Sequence, residues 1–353
     1  MLECDVLVIG AGPAGSAAAL AAAREGARVI MLERKKEVGT PVQCAEYIPF
    51  PLARQVGIEA DAVAQSVNLM RTHLPDGQVT ESSFRGIICH RDRFDRHLAR
   101  LAGEAGAELM RGVKAAGYDG RVVSARRAGE ALEILPGVLI GADGPSSTVR
   151  QWMGLAPNRF VQARQYSLPL SRRLDSTEIF FRRGIPGGYG WVFPKGETAN
   201  VGIGVEMKLG TPPETAMKNF TRELLDGGVI AGIEPLSRTG GMIPVGGQSR
   251  LRRGNIILAG DAAGQCHPVT GAGVPNAFFA GGLAGEAAAR AAATRDPEPL
   301  AEYEENCRLF LGDSLDLAVA RRRALEPYWQ GDARALSRAL EKSWIAFEEY
   351  YEH

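Results

Sequence analysis

The chain carries no net charge: Lys plus Arg and Asp plus Glu both total 41. Binding a phosphate backbone needs a basic excess or stripe, so nucleic acid is not an expected partner. Cysteine is scarce and scattered. The five residues (Cys4, Cys44, Cys89, Cys266, Cys307) form no C-x-x-C pair, which argues against a disulfide framework, a metal or an iron–sulfur site and favours a reducing cytoplasm. Long apolar runs are missing as well. "GAGVPNAFFAGGLAGEAAARAAA" comes nearest, but it is rich in Gly and Ala, is cut by Pro275, and holds Glu286 and Arg290. Stable insertion into a bilayer is not expected, while peripheral docking onto a membrane surface stays open. A strand pattern starts at once, so no signal peptide is expected. No internal repeat is visible.

What is present is a chain of 353 residues, 45% hydrophobic, enough for a substantial core divided between two domains. "CDVLVIGAGPAGSAAALAAAREGARVIMLER" is its most informative stretch. Val6 to Ile9 is a continuous apolar run, as expected of a strand buried on both faces of a parallel sheet. Gly10, Gly12 and Gly15 then give G-x-G-x-x-G, an Ala-rich helix follows, and a second strand ends at Glu33. Glycines at these places permit a tight turn, close approach of backbone to a pyrophosphate, and tight helix–strand packing. The helix N-terminus faces the phosphates, and an acid at the second strand's end bonds a ribose hydroxyl. Pro13 and Ala14 within the turn and Arg34 beside the acid complete this part of a dinucleotide site.

Two later segments extend it. "GVLIGADGPSSTVRQWMG" reads as a strand running into a turn at Asp143-Gly144, with Ser146 and Ser147 as caps of a short helix. "GNIILAGDAAGQCHPVTGAGVPNAFFAGGLAGEAAA" reads as another buried strand, then Gly260-Asp261, then a glycine-rich loop opening a long small-residue helix. Asp261 can accept from a ribityl hydroxyl, and the backbone N–H groups of Gly271, Ala272, Gly273 and Val274 can face a phosphate or the polar edge of a flavin.

These motifs, in this order and with the R-x-x-F-D element Arg91, Phe94 and Asp95 of "ICHRDRFDRHLARLA", resemble the large FAD-dependent family that includes para-hydroxybenzoate hydroxylase. The resemblance implies FAD as the cofactor, held by residues including Gly10, Gly12, Gly15, Glu33, Arg91 and Asp261. It also implies the fold class: α/β, a Rossmann-like FAD-binding domain with an inserted antiparallel β-sheet substrate domain and a short C-terminal helical region. The FAD domain is expected to be discontinuous, over 1–65, 85–155 and 240–295. The sheet domain falls at 66–84 and 156–239, and the helical region at 296–353. Strand-like segments "QYSLPL", "STEIFF", "GYGWVFP" and "ANVGIGVE" carry the sheet, and "PPETAMKNFTRELLDGG" has helical periodicity. Leu309, Phe310, Leu315, Leu317 and Val319 supply apolar positions to the terminal helices.

In "GGYGWVFPKGE", alternation places Tyr189, Trp191 and Phe193 on one face of a strand that Pro194 ends. By composition alone, an aromatic stripe is core. "GYGWVFPKG" resembles the Y-x-W-x-F-P signature of the geranylgeranyl reductase family, and "VGTPVQCAEYIP" resembles that family's cysteine-bearing loop, although it reads Cys-Ala-Glu where many relatives have Cys-Gly. The resemblance implies that Cys44, with Ala45 after it, lies beside the isoalloxazine. It also implies that Tyr189 and Trp191 wall a lipophilic pocket.

The reaction then expected is FAD-dependent saturation of carbon–carbon double bonds in an isoprenoid or other lipophilic substrate. Protonation of an unactivated alkene builds carbocation character, which aromatic faces stabilise. By position, Cys44, Glu46, Tyr47 and His267 are all candidate proton donors. No second glycine-rich nucleotide motif is present, so electrons come either from NAD(P)H bound transiently or from a ferredoxin-like protein. The alternative chemistry on the same fold is an FAD-dependent monooxygenase or hydroxylase. Halogenases of the superfamily carry W-x-W-x-I-P, from which Tyr189 and Phe193 depart.

Overall fold

The computed structural model describes residues 1–352 and contains two large sheets. In the first, Leu2–Ile9 lies between Val29–Glu33 and Glu130–Gly141, all parallel. Glu108–Arg111 extends it on one side and Ile256–Leu258 on the other. The apolar runs read from the sequence are its buried centre: Val6, Leu7 and Val8 have no exposed surface. A hairpin, Val113–Tyr118 with Val123–Arg127, folds back onto Glu130–Gly141.

The small residues of the nearest-to-membrane segment have a packing explanation. Helix Val274–Thr294 lies so close to helix Pro13–Arg24 that a Cβ on Gly281 would sit 2.2 Å from the Ala14 carbonyl oxygen, and one on Gly285 would sit 2.1 Å from that of Ala18. The glycines are required by helix-on-helix contact. Among the described residues, no helix is long and apolar enough to cross a membrane.

The second sheet runs in the order Ser237–Pro244, Phe160–Pro169, Thr198–Val205, Gly190–Lys195, Ser176–Phe180, Val63–His73, Val79–Cys89 and Tyr47–Pro49. It is antiparallel with one exception: Ser176–Phe180 pairs in parallel with Val63–His73. It also takes in Tyr47–Pro49 and parts of the strands ending at Cys89 and Pro244, residues expected in the FAD domain, because cross-strand pairing continues past the composition breaks. On one face Val192, Val201 and Ile203 pack against Met217 and Phe220 of helix Pro213–Asp226. On the other, Trp191 and Phe193 meet Trp329, Leu336, Leu340 and Trp344 from the C-terminal part. Alternation along Gly190–Lys195 therefore sorts its residues between two cores.

The C-terminal part is helical over Glu298–Cys307, Asp313–Leu325 and Ala333–Glu341. Leu309 and Phe310, expected among its packing positions, are 71% and 60% exposed. The turn Arg308–Gly312 is π-helical, which rotates them out of the 3.6-residue register that would have buried them.

Candidate active site

A cleft of about 270 Å³ opens over the ends of the parallel strands, lined among others by Gly12, Glu33, Cys44, Arg91 and Asp143. Its floor tests whether a dinucleotide fits. Gly10 has φ 104°, and a Cβ there would lie 2.3 Å from the Ala142 carbonyl oxygen. A Cβ on Gly15 would lie 1.8 Å from the Gly10 carbonyl oxygen. At Gly12, by contrast, a Cβ would meet no protein atom within 4 Å. The first and third glycines are thus demanded by the chain itself, and the middle one leaves open space where a pyrophosphate needs to approach backbone. Pro13 opens the helix, where its missing N–H costs nothing, and Ala14 packs beneath Gly260.

Glu33 is buried at the strand end. Its Oε2 accepts the Ala11 N–H at 3.0 Å and its Oε1 the Lys35 N–H at 2.8 Å, which aims the carboxylate at the cleft that Arg34 also borders. Arg91 grips Asp95 through two bonds of 2.9 and 3.0 Å one helical turn on, so its guanidinium is fixed at the cleft wall. Asp143 borders the cleft and also has a second engagement. Its Oδ1 accepts from the Ser147 hydroxyl at 2.5 Å and its Oδ2 from the Thr148 N–H at 2.6 Å and the Val149 N–H at 3.3 Å. The carboxylate caps the helix Thr148–Trp152 together with Ser147, while Ser146 faces the cleft instead of capping.

Gly260 takes φ 67° and turns the chain so that the Asp261 carboxyl stands 3.3 Å from the Cβ position of Gly273. No protein donor bonds that carboxyl, and burial pushes it up to about 6 against the opposing pull of Arg91. A half-buried carboxyl that no protein donor reaches is what a cofactor hydroxyl would satisfy. Gly271, at φ 66°, lies against Ile243 and the Tyr189 hydroxyl. The Ala272 carbonyl accepts from the His267 N–H at 2.9 Å. Gly273 and Val274 begin the long helix beside Asp261.

The cysteine loop and the aromatic strand meet through residues that motif reading missed. Trp191 Nε1 donates to Gln165 Oε1 at 2.9 Å, and Gln165 Nε2 donates to the Cys44 carbonyl at 2.9 Å. The indole lies flat on the neighbouring strand, where a Cβ on Gly202 would come within 2.3 Å of it. The spacing Gly202-Ile203-Gly204, one hairpin after the aromatic strand, is the signal that could have found this. Trp191 is 5% exposed and sits behind Tyr189. Tyr189 borders a small cavity of about 20 Å³ with Phe181, Val269, Trp329, Leu340 and Trp344, and Trp191 does not. Arg322 also reaches this cavity, paired with buried Glu206 at 2.9 Å, and its Nε has no partner.

The four candidate proton donors separate. Glu46 accepts on both carboxylate oxygens, from the Arg91 N–H, Lys195 and Asn200. Tyr47 stacks on Phe84 and donates to the Arg85 carbonyl at 3.2 Å, and burial raises its phenol. His267 accepts the Thr270 N–H on Nδ1 at 3.2 Å, which puts its proton on Nε2 beside Tyr350, and burial pushes it down to about 4. A neutral imidazole locked this way is structural. Cys44 remains at the cleft wall, half-buried, with its Sγ accepting the Glu46 N–H at 3.2 Å.

Comparisons with known proteins agree with this geometry. A family model described as an FAD binding domain matches residues 3–168, and one described as a geranylgeranyl reductase catalytic domain matches 161–234. Digeranylgeranylglycerophospholipid reductase 1 of Methanopyrus kandleri is 37% identical over 337 residues, covering 90% of this chain and 89% of that protein. The crystal structure of a geranylgeranyl bacteriochlorophyll reductase-like protein from Thermoplasma acidophilum superposes with a TM-score of 0.84 at 26% identity, covering 98% of this chain and 97% of the other. The flavin-dependent halogenase CmlS, at a TM-score of 0.75 and 20% identity over 96% of this chain and 68% of its own, shares the fold alone.

Proposed function

The chain belongs to the geranylgeranyl reductase family and is an FAD-dependent oxidoreductase that reduces isoprenoid double bonds, and from that premise we propose that its substrate is a polyprenyl glycerophospholipid of the kind named for its relatives. Similarity over nine-tenths of the chain to a digeranylgeranylglycerophospholipid reductase carries this reading. The tie from Trp191 through Gln165 to Cys44 supports it from the geometry, since it joins the aromatic strand to the loop at the cofactor cleft.

Bound and reduced, FAD supplies a hydride to one alkene carbon. The chain's residues do the rest. Gly12 and the helix behind it would receive the pyrophosphate, Glu33 and Asp261 would accept from ribose and ribityl hydroxyls, and the Gly271–Val274 backbone would line the cofactor's other end. Tyr189, backed by Trp191, would offer an aromatic face to the carbon that gains positive character, with Phe181 and Trp344 lining the same small cavity. Cys44 holds the proton for the second carbon at Sγ, the other candidates being engaged elsewhere. Electrons arrive from NAD(P)H or a ferredoxin-like protein, and the lipid reaches the site from a membrane surface on which the enzyme docks peripherally.

Anaerobic, reduced holoprotein mixed with digeranylgeranylglyceryl phospholipid tests the reading. Flavin reoxidation should accompany a mass gain of two hydrogens per bond in the recovered lipid. Reoxidation only when oxygen is admitted, with hydroxylation of an aromatic added alongside the lipid, would replace it by the monooxygenase reading.

A further inference from the structure

The loop behind Cys44 holds the chain in a conformation that its sequence does not favour. Glu46 has φ 74°, in the left-handed region where glycine sits without steric cost and a longer residue does not. The residue placed there is an acid only 4% exposed. Its Oε2 accepts from Lys195 Nζ at 2.6 Å and Asn200 Nδ2 at 2.7 Å, and its Oε1 from the Arg91 N–H at 2.8 Å. Its own N–H donates to Cys44 Sγ at 3.2 Å.

Lys195 ends the aromatic strand, Asn200 lies on the next strand, and Arg91 starts the helix that borders the cofactor cleft. One carboxylate therefore joins three elements around the thiol. Both the left-handed backbone and the desolvated ion pair, with side chains 15% and 5% exposed, oppose folding when taken alone. Glycine with apolar neighbours would relieve both. Costs concentrated on one residue beside a reactive group are expected where fixed geometry matters more than stability.

We propose that Glu46 is a positioning residue: with Lys195 and Asn200 it fixes the Cys44 thiol and the Arg91 helix start relative to each other at the cofactor cleft, and turnover depends on that relation. The proposal rests on the assignment of reduction to this cleft, but one arm of its test does not. Glu46→Gly keeps the left-handed turn and removes the clamp, and Glu46→Gln keeps an acceptor without the charge.

In the holoenzyme, each variant should lower kcat by roughly tenfold to a hundredfold with KM within about threefold of the parent. Each should also change the rate at which iodoacetamide labels Cys44, the one cysteine that is not buried, by more than about threefold. If either variant fails to fold, Lys195→Met and Asn200→Ala carry the same two measurements. Parental kcat and parental labelling in Glu46→Gly would overturn the proposal, since glycine would then be a full substitute. Should no polyprenyl lipid be turned over by any form, the labelling rate still decides it, and an unchanged rate counts against it.

Discussion

Trp191 and Cys44 are joined by a single side chain. Gln165 accepts from the indole and donates to the cysteine's carbonyl, both at 2.9 Å, across two strands and a loop. Replacing Gln165 by Leu would leave a buried N–H and a carbonyl without partners at a cost of about 1–3 kcal/mol each. We expect a lower Tm and a drop in kcat with FAD still bound. An unaltered kcat would show that the tie serves stability only.

The glycines of the cleft should divide by cause. Gly12→Val adds a side chain where no protein atom stands, so the variant should fold with near-parental Tm and emerge colourless, its FAD absorbance lost. Gly15→Ala drives a Cβ onto the Gly10 carbonyl and should not fold. Yellow Gly12→Val protein would place the pyrophosphate elsewhere.

Asp261 gives a pH dependence of known sign. Its folded value of about 6 lies above the ordinary 3.8, so in the cofactor-free protein its contribution to stability is complete below 3.8 and is lost as pH rises through about 6. A cofactor hydroxyl donates more strongly to the ionised form. FAD affinity should therefore fall as pH drops below about 6, by up to about tenfold per unit. Flavin fluorescence titrations read this directly, and Asp261→Asn, which does not titrate, should flatten the profile while weakening binding throughout.

Much of the cofactor half was legible because its determinants are local in sequence. Gly10, Gly12, Gly15 and Glu33 fall within one βαβ unit whose spacing is fixed by the turn they make. Asp143 lines the cleft as read from its turn, but its second task as a helix cap was not legible, because only coordinates reveal Ser147 and Thr148 under it. The substrate side was less legible because its contacts are long-range. Gln165, Gly202, Lys195 and Asn200 acquire meaning only through register between strands, and Arg322 only through the fold of the C-terminal helices. Leu309 and Phe310 were misjudged because a π-turn adds a residue that no hydrophobic period announces.

Trp344 closes the cavity beside Tyr189, with ring centroids 5.3 Å apart and its Nε1 donating to Thr72 at 3.1 Å. Trp344→Ala should cost about 3–5 kcal/mol in stability and enlarge the cavity. If the prenyl tail ends beside Trp344, the space opened by the lost indole should move the variant's preference among lipids toward longer tails. Identical selectivity would locate the tail elsewhere.

The order of synthesis adds a consequence. The greasy side of the second sheet is complete once Ser237–Pro244 has emerged, yet its cover, from Leu325 to Trp344, is translated some eighty residues later. Until then the nascent protein presents bare tryptophan and phenylalanine to its surroundings. Docking of those helices is therefore the step that hides the sticky face, and synthesis cut short before it leaves an aggregation-prone chain.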